Sequence, residues 1–77
     1  MNITVKYFGL LAEVTKRSQE TIVFNKTTVA HLLEQLYATY PGLKEKDFQV
    51  AQNLEIVTKD ALLTNQEIAL LPPFSGG

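Results

Sequence analysis

The sequence predicts an α+β domain in which one long helix packs on a mixed β-sheet, and three features predict it. Val29, Leu32, Leu33, Leu36, Tyr37 and Tyr40 recur at steps of three and four, the apolar stripe of an amphipathic helix. Ile3, Val5 and Tyr7 alternate with Thr4, Lys6 and Phe8, the period of a half-buried strand. Ile68-Ala69-Leu70-Leu71 is an unbroken apolar run that meets Pro72-Pro73, as expected of a central, two-sided strand whose pairing stops where backbone donors vanish.

The remaining elements follow in chain order. Residues 3–8 form the first strand, with Ile3, Val5 and Tyr7 on the core face and Phe8 on the opposite one. Gly9 releases the backbone and Leu10–Val14 forms a short helical turn. Thr15–Gln19 reads as a loop, and Glu20–Phe24 as a second strand, antiparallel to the first. Thr28 starts the helix, because its hydroxyl can accept from a backbone N–H of the first turn. The helix spans about 28–40 and stops at Pro41-Gly42, and Leu43–Asp47 is a charged connection. Phe48–Gln52 and Glu55–Thr58 are short strands around Asn53-Leu54, where Asn53 tolerates a left-handed turn. A longer loop, Lys59–Glu67, sends Leu62 or Leu63 into the core. Placing the first and last strands side by side in parallel buries the last one. The order strand, strand, helix, strand, strand, strand is that of a ubiquitin-like β-grasp with about five strands.

Residues 1–77 make one domain with a flexible tail over 72–77. A chain of this size buries only about 60% of its unfolded surface. Hydrophobic residues at 45% argue against disorder. The absence of cysteine removes disulfides, thiolate metal sites and side-chain sulfur chemistry. Met1-Asn2-Ile3-Thr4 enters the strand pattern without a signal segment, and no apolar run spans a bilayer, so a cytoplasmic protein away from membranes is expected. With net charge −1 and no basic stripe, nucleic acid is not an expected partner.

Side-chain catalysis finds no footing. The only histidine, His31, lies on the polar flank of the helix and reads as solvated. The four glycines form no phosphate loop, and Glu13, Glu34 and Glu55 read as surface groups without metal-ligand spacing. What remains is the tail Pro72-Pro73-Phe74-Ser75-Gly76-Gly77. Extended at about 3.3 Å per residue, it reaches roughly 17 Å from the body. The prolines stiffen its root, and Gly76-Gly77 allows the tip to thread a narrow channel. A terminal carboxylate becomes an electrophile once activated as an acyl-adenylate. Strand parity also puts Phe8, Ile56 and Leu71 away from the core, an exposed apolar patch near the tail's root that reads as an interface.

These residues carry a resemblance. Glu67-Ile68-Ala69-Leu70-Leu71-Pro72-Pro73-Phe74-Ser75-Gly76-Gly77 resembles the C-terminal signature of the small, sulfur-carrier subunit of molybdopterin synthase, within the ubiquitin-like sulfur-carrier family. Ala51-Gln52-Asn53-Leu54-Glu55-Ile56-Val57 resembles that family's strand–turn–strand. Val5-Lys6-Tyr7-Phe8-Gly9, followed by Leu11-Ala12-Glu13, resembles its opening. The chain departs from the family at Asn65-Gln66, where Asp-Gly is usual before the last strand.

The resemblance implies that a ubiquitin-activating-like adenylyltransferase uses ATP to adenylate Gly77, beside Gly76, and that a sulfur donor converts the adenylate to a thiocarboxylate. It further implies docking on the large synthase subunit in a heterotetramer. Phe8, Ile56 and Leu71 match apolar interface positions, and Pro72, Pro73, Phe74 and Ser75 enter the partner's active site. There sulfur passes to the cyclic pyranopterin precursor to form the molybdopterin dithiolene. The chain itself binds no cofactor or metal, and the catalytic side chains are those of the large subunit. Three other readings stay open: a sulfur carrier for thiamine or for tRNA thiolation, against which the Pro-Pro pair argues; a ubiquitin-like protein modifier; and a plain binding module.

Overall fold

A computed structural model describes residues 2–25, 28–64 and 67–73. In chain order its elements are β1 (Asn2–Tyr7), α1 (Leu10–Thr15), β2 (Gln19–Val23), α2 (Val29–Thr39), a 3₁₀ helix (Pro41–Glu45), β3 (Gln49–Gln52), β4 (Glu55–Val57) and β5 (Glu67–Leu71). The five-stranded sheet has the order β2-β1-β5-β3-β4. β1 and β5 run parallel, while the β1–β2, β3–β4 and β3–β5 pairs are antiparallel. This is the β-grasp arrangement expected from the sequence.

One face of the sheet carries the core. Ile3, Val5 and Tyr7 of β1, Val50 of β3, and Ile68 and Leu70 of β5 meet Val29, Leu32, Leu33 and Leu36 of α2, with Leu11, Phe24, Leu43 and Leu63 closing the edges. The start of α2 shows why the helix begins where it does. The backbone N–H groups of Val29, Ala30 and His31 precede the first i→i−4 bond and have no partner inside the helix. Val29 N–H donates to Ala61 O, Ala30 N–H to Lys59 O and His31 N–H to the Thr28 hydroxyl, and the helical ladder begins with Leu32 N–H donating to Thr28 O. The loop after β4 thus caps the helix jointly with Thr28. Gln52 holds the same loop from the other side, its amide donating to Leu62 O (3.0 Å) and accepting from Thr64 N–H (2.9 Å). That clamp turns Leu63 inward, 7% exposed, and leaves Leu62 outside at 61%.

Two expectations need correction. The segment after Pro41 is not a charged connection throughout: Pro41–Glu45 winds into a 3₁₀ helix because the proline suits a first helical position and Leu43 is fully buried. β5 is central in the sheet but not buried on both faces, since Ala69 and Leu71 stay half-exposed. Of the tail's two described residues, Pro72 is half-buried against the body and Pro73 is exposed. Phe74–Gly77 and the Asn65-Gln66 turn lie outside the described residues.

A polar cluster closes the sheet's β2 side. Glu20 accepts from the phenols of Tyr7 (2.5 Å) and Tyr40 (2.7 Å), and Arg17 pairs with it at 3.5 Å. The two rings meet edge to face, centroids 6.1 Å apart. Burial raises the pKa of both phenols, and the Glu20 carboxylate raises them further. The folded chain therefore keeps both protons at pH values where the unfolded chain has lost them. Their stabilisation is complete below the ordinary phenol pKa of about 10 and is lost as pH rises above it. Between pH 9 and 11, urea unfolding of the wild type should lose about 1.4 kcal/mol more than that of Tyr7→Phe. Equal losses would remove this account of Tyr7.

Candidate docking face and tail root

The pleat and the register together build the sheet's open face. Lys6, Ala69, Ala51 and Ile56 lie in one row across β1, β5, β3 and β4. Leu71, two residues beyond Ala69, shares that face. Phe8 extends β1 past its last paired residue, its N–H donating to Leu70 O (3.2 Å). The result is a groove of about 340 Å³ between Phe8, Ala69 and Leu71 on one side and Ala51, Leu54 and Ile56 on the other. Phe8 is 44% exposed and Ile56 55%. Lys6 Nζ and Glu67 Oε2, 2.9 Å apart, form a polar border. Strand parity brought Phe8, Ile56 and Leu71 together from the sequence, and the structure brings them together in this groove.

Sequence reasoning missed two parts of it. Ala51 and Ala69 matter because they are small: at the row's centre they leave a concavity between the larger side chains. From the sequence Leu54 is a turn residue and nothing more. It is 99% exposed, with φ 65° following Asn53 at φ 55°. Two positive φ values in a two-residue hairpin loop favour Asn and Gly, and leucine in the second position carries a conformational cost. Neither core packing nor turn chemistry calls for leucine there. Its place beside the groove does, and the signal available in the sequence was an apolar residue where a turn asks for glycine.

At the other end of the groove the chain enters the tail. Gly9 has φ 58° and ψ −133°, a conformation open to glycine, and a Cβ there would sit 3.0 Å from Pro72 Cγ. The β1–α1 corner thus packs directly on the tail's root. Leu10, Glu45, Lys46, Asp47, Pro72 and Pro73 border a smaller groove of about 210 Å³ beside it. Gly9→Ala meets both strain and contact, so it should lower stability by about 1–3 kcal/mol. Chemical denaturation checks this; an unchanged midpoint would mean that the corner and Pro72 move apart freely.

His31 is exposed, its Nδ1 2.8 Å from the Thr28 hydroxyl, and Glu13, Glu34 and Glu55 are exposed as well. Among the described residues no group of three or more His, Asp and Glu side chains gathers to hold a metal, and no helix is long and apolar enough to cross a membrane. Gly76, Gly77, Phe74 and Ser75 lie outside the described residues.

A β-grasp domain whose open face is apolar and runs into a Pro-Pro root is a ubiquitin-like protein. Comparison with known proteins narrows the class. The ThiS family matches residues 5–77, and the chain belongs to that family. Over its whole length it is 38% identical to a protein of Chlamydomonas reinhardtii named molybdopterin synthase sulfur carrier subunit, all of which is covered. Among solved structures, a putative molybdopterin converting factor subunit 1 from Pyrococcus furiosus shares the fold with a TM-score of 0.87 and 22% identity, over 96% of this chain and 99% of that one. SAMP1 from Haloferax volcanii gives 0.81 and 26% over the full length of both.

Proposed function

We propose that this chain is the sulfur-carrier small subunit of a molybdopterin synthase. The observation that carries the proposal is the apolar groove of Phe8, Ile56 and Leu71 opening at the root of the tail, in a chain that aligns end to end with a relative of that name. In this reading the groove docks on a large synthase subunit, and Pro72 and Pro73, with Phe74 and Ser75 beyond them, guide the tail into its active site. Gly77 carries the reacting group. An adenylyltransferase joins its carboxylate to AMP from ATP, releasing pyrophosphate. Sulfide-level sulfur from a donor then adds to the acyl carbon and expels AMP, leaving a thiocarboxylate. Ionised at neutral pH, this is a stronger nucleophile than the carboxylate and delivers sulfur to a cyclic pyranopterin precursor. Sulfur held on main-chain carbonyl carbon requires no cysteine of the carrier.

Intact-mass measurement of the chain produced beside its activating enzyme and a sulfur donor tests this. The expected result is an oxygen-to-sulfur mass gain on the terminal peptide, discharged when the large subunit and precursor are added. A tail that never gains sulfur would overturn the proposal. A second reading, a protein modifier joined through Gly77, draws on the likeness to SAMP1, a small archaeal modifier protein. It predicts branched Gly-Gly peptides on other proteins in place of the mass gain.

A further inference from the structure

The open face meets the far edge of the sheet at Ile56, which borders grooves on both sides of it. Among the described residues β4 ends the strand order and pairs only with β3. Its hairpin has a two-residue loop, so Gln52 and Glu55 form the closing hydrogen-bonded pair and Ala51 and Ile56 the next, non-bonded pair. That alternation directs the N–H and C=O of Ile56 away from the sheet. On the helix side of this edge lies a groove of about 480 Å³, within the usual range of binding sites. Its floor is apolar: Leu33 and Tyr37 of α2 and Phe48, the two rings 6.4 Å apart. Its walls carry Lys44, Lys46 and Lys59 against one carboxylate, Asp47. The whole chain has a net charge of −1, so three of its seven basic residues are gathered where the local balance is positive.

We propose that the β4 edge and this lysine-walled groove form a second docking site, which takes an extended segment of a partner protein carrying aliphatic residues flanked by acidic ones. The segment adds as a strand about 4.8 Å outside β4. Its backbone pairs with Ile56, alternate aliphatic side chains turn toward Tyr37 and Phe48, and its carboxylates meet the three lysines. The charge of the walls selects an acidic segment over a basic one. The site lies across the sheet from Phe8, Ala69 and Leu71 and shares only Ile56 with their groove, so it can be filled without covering those three, and it does not rest on the sulfur-carrier proposal.

A short edge strand near lysines is also how sheets discourage pairing, and the experiment separates the two roles. The full chain, labelled with ¹⁵N, is titrated to millimolar concentration with the peptide Asp-Asp-Val-Ile-Val-Asp-Asp, with its Lys-flanked counterpart, and with a version carrying proline at the centre. The acidic peptide should shift the amides of Ile56, Thr58, Tyr37 and Phe48 while leaving Phe8 and Ala69 in place. The basic and proline peptides should bind at least roughly tenfold more weakly. The triple variant Lys44→Glu/Lys46→Glu/Lys59→Glu, on exposed side chains, should weaken the acidic peptide roughly tenfold with an unchanged spectrum elsewhere. No shift at β4, shifts confined to Phe8 and Ala69, or equal binding of acidic and basic peptides would each overturn the proposal.

Discussion

Removing Gly77 should abolish sulfur loading and leave the unfolding midpoint unchanged. Among the described residues the core closes at Ile68 and Leu70, and β5 ends at Leu71, well before the last residue. The proposed chemistry depends on it entirely. Truncation moves the terminal carboxylate back by about 3.3 Å along an extended chain. A displacement of about 1 Å at a reacting centre can cost a factor of about 10², so the loss for the truncated chain should exceed that. Intact mass after incubation with activating enzyme, ATP and sulfur donor reads the loading, and urea unfolding reads the fold. Loading at the wild-type rate would show that the reactive carboxylate is not positioned through Gly77. Gly77→Ala is the milder companion: it keeps the length but adds a side chain at the tip, and should slow loading while preserving stability.

The fold was legible because its strongest signals are periodic. A stripe such as Val29–Leu32–Leu33–Leu36 is read directly as a helix face, and the parity of Ile3–Val5–Tyr7 by itself places Phe8 outside the core. Parity also assembled Phe8, Ile56 and Leu71, since side-chain direction in a strand is fixed by position alone. The missed features arise from contacts between distant segments. Leu43 sits in a run of charged residues and is fully buried, because the end of α2 brings it back over the core. Gln52 looks like a polar strand residue, yet it is buried because the loop carbonyl and N–H of Leu62 and Thr64 satisfy both ends of its amide. Glu20 gains its role from Tyr7 and Tyr40, residues 13 and 20 positions away. In each case tertiary packing, not local pattern, decides what the residue does.

Phe8→Asp and Ile56→Asp should each weaken docking on the large synthase subunit by about 10²-fold, while Val23→Asp leaves it unchanged. All three side chains are exposed apolar groups in the free chain, so exposure alone predicts equal effects. Their places differ. Phe8 and Ile56 face each other across the groove at the tail's root, whereas Val23 pairs with Asn2 on the far β2 edge. An aspartate in the centre of an apolar interface is desolvated without a partner and removes apolar contact, together on the order of 3 kcal/mol. The same aspartate in water costs the free domain little, so the unfolding midpoint should move by less than the binding energy. Leu71 is a poorer probe, because it sits half-buried in central β5 and its substitution also perturbs the sheet. Calorimetric titration of each variant with the large subunit measures the effect. Equal weakening by Val23→Asp would mean that general surface polarity governs association. Unchanged affinity for Phe8→Asp and Ile56→Asp would move the docking face elsewhere, leaving the groove without its proposed occupant.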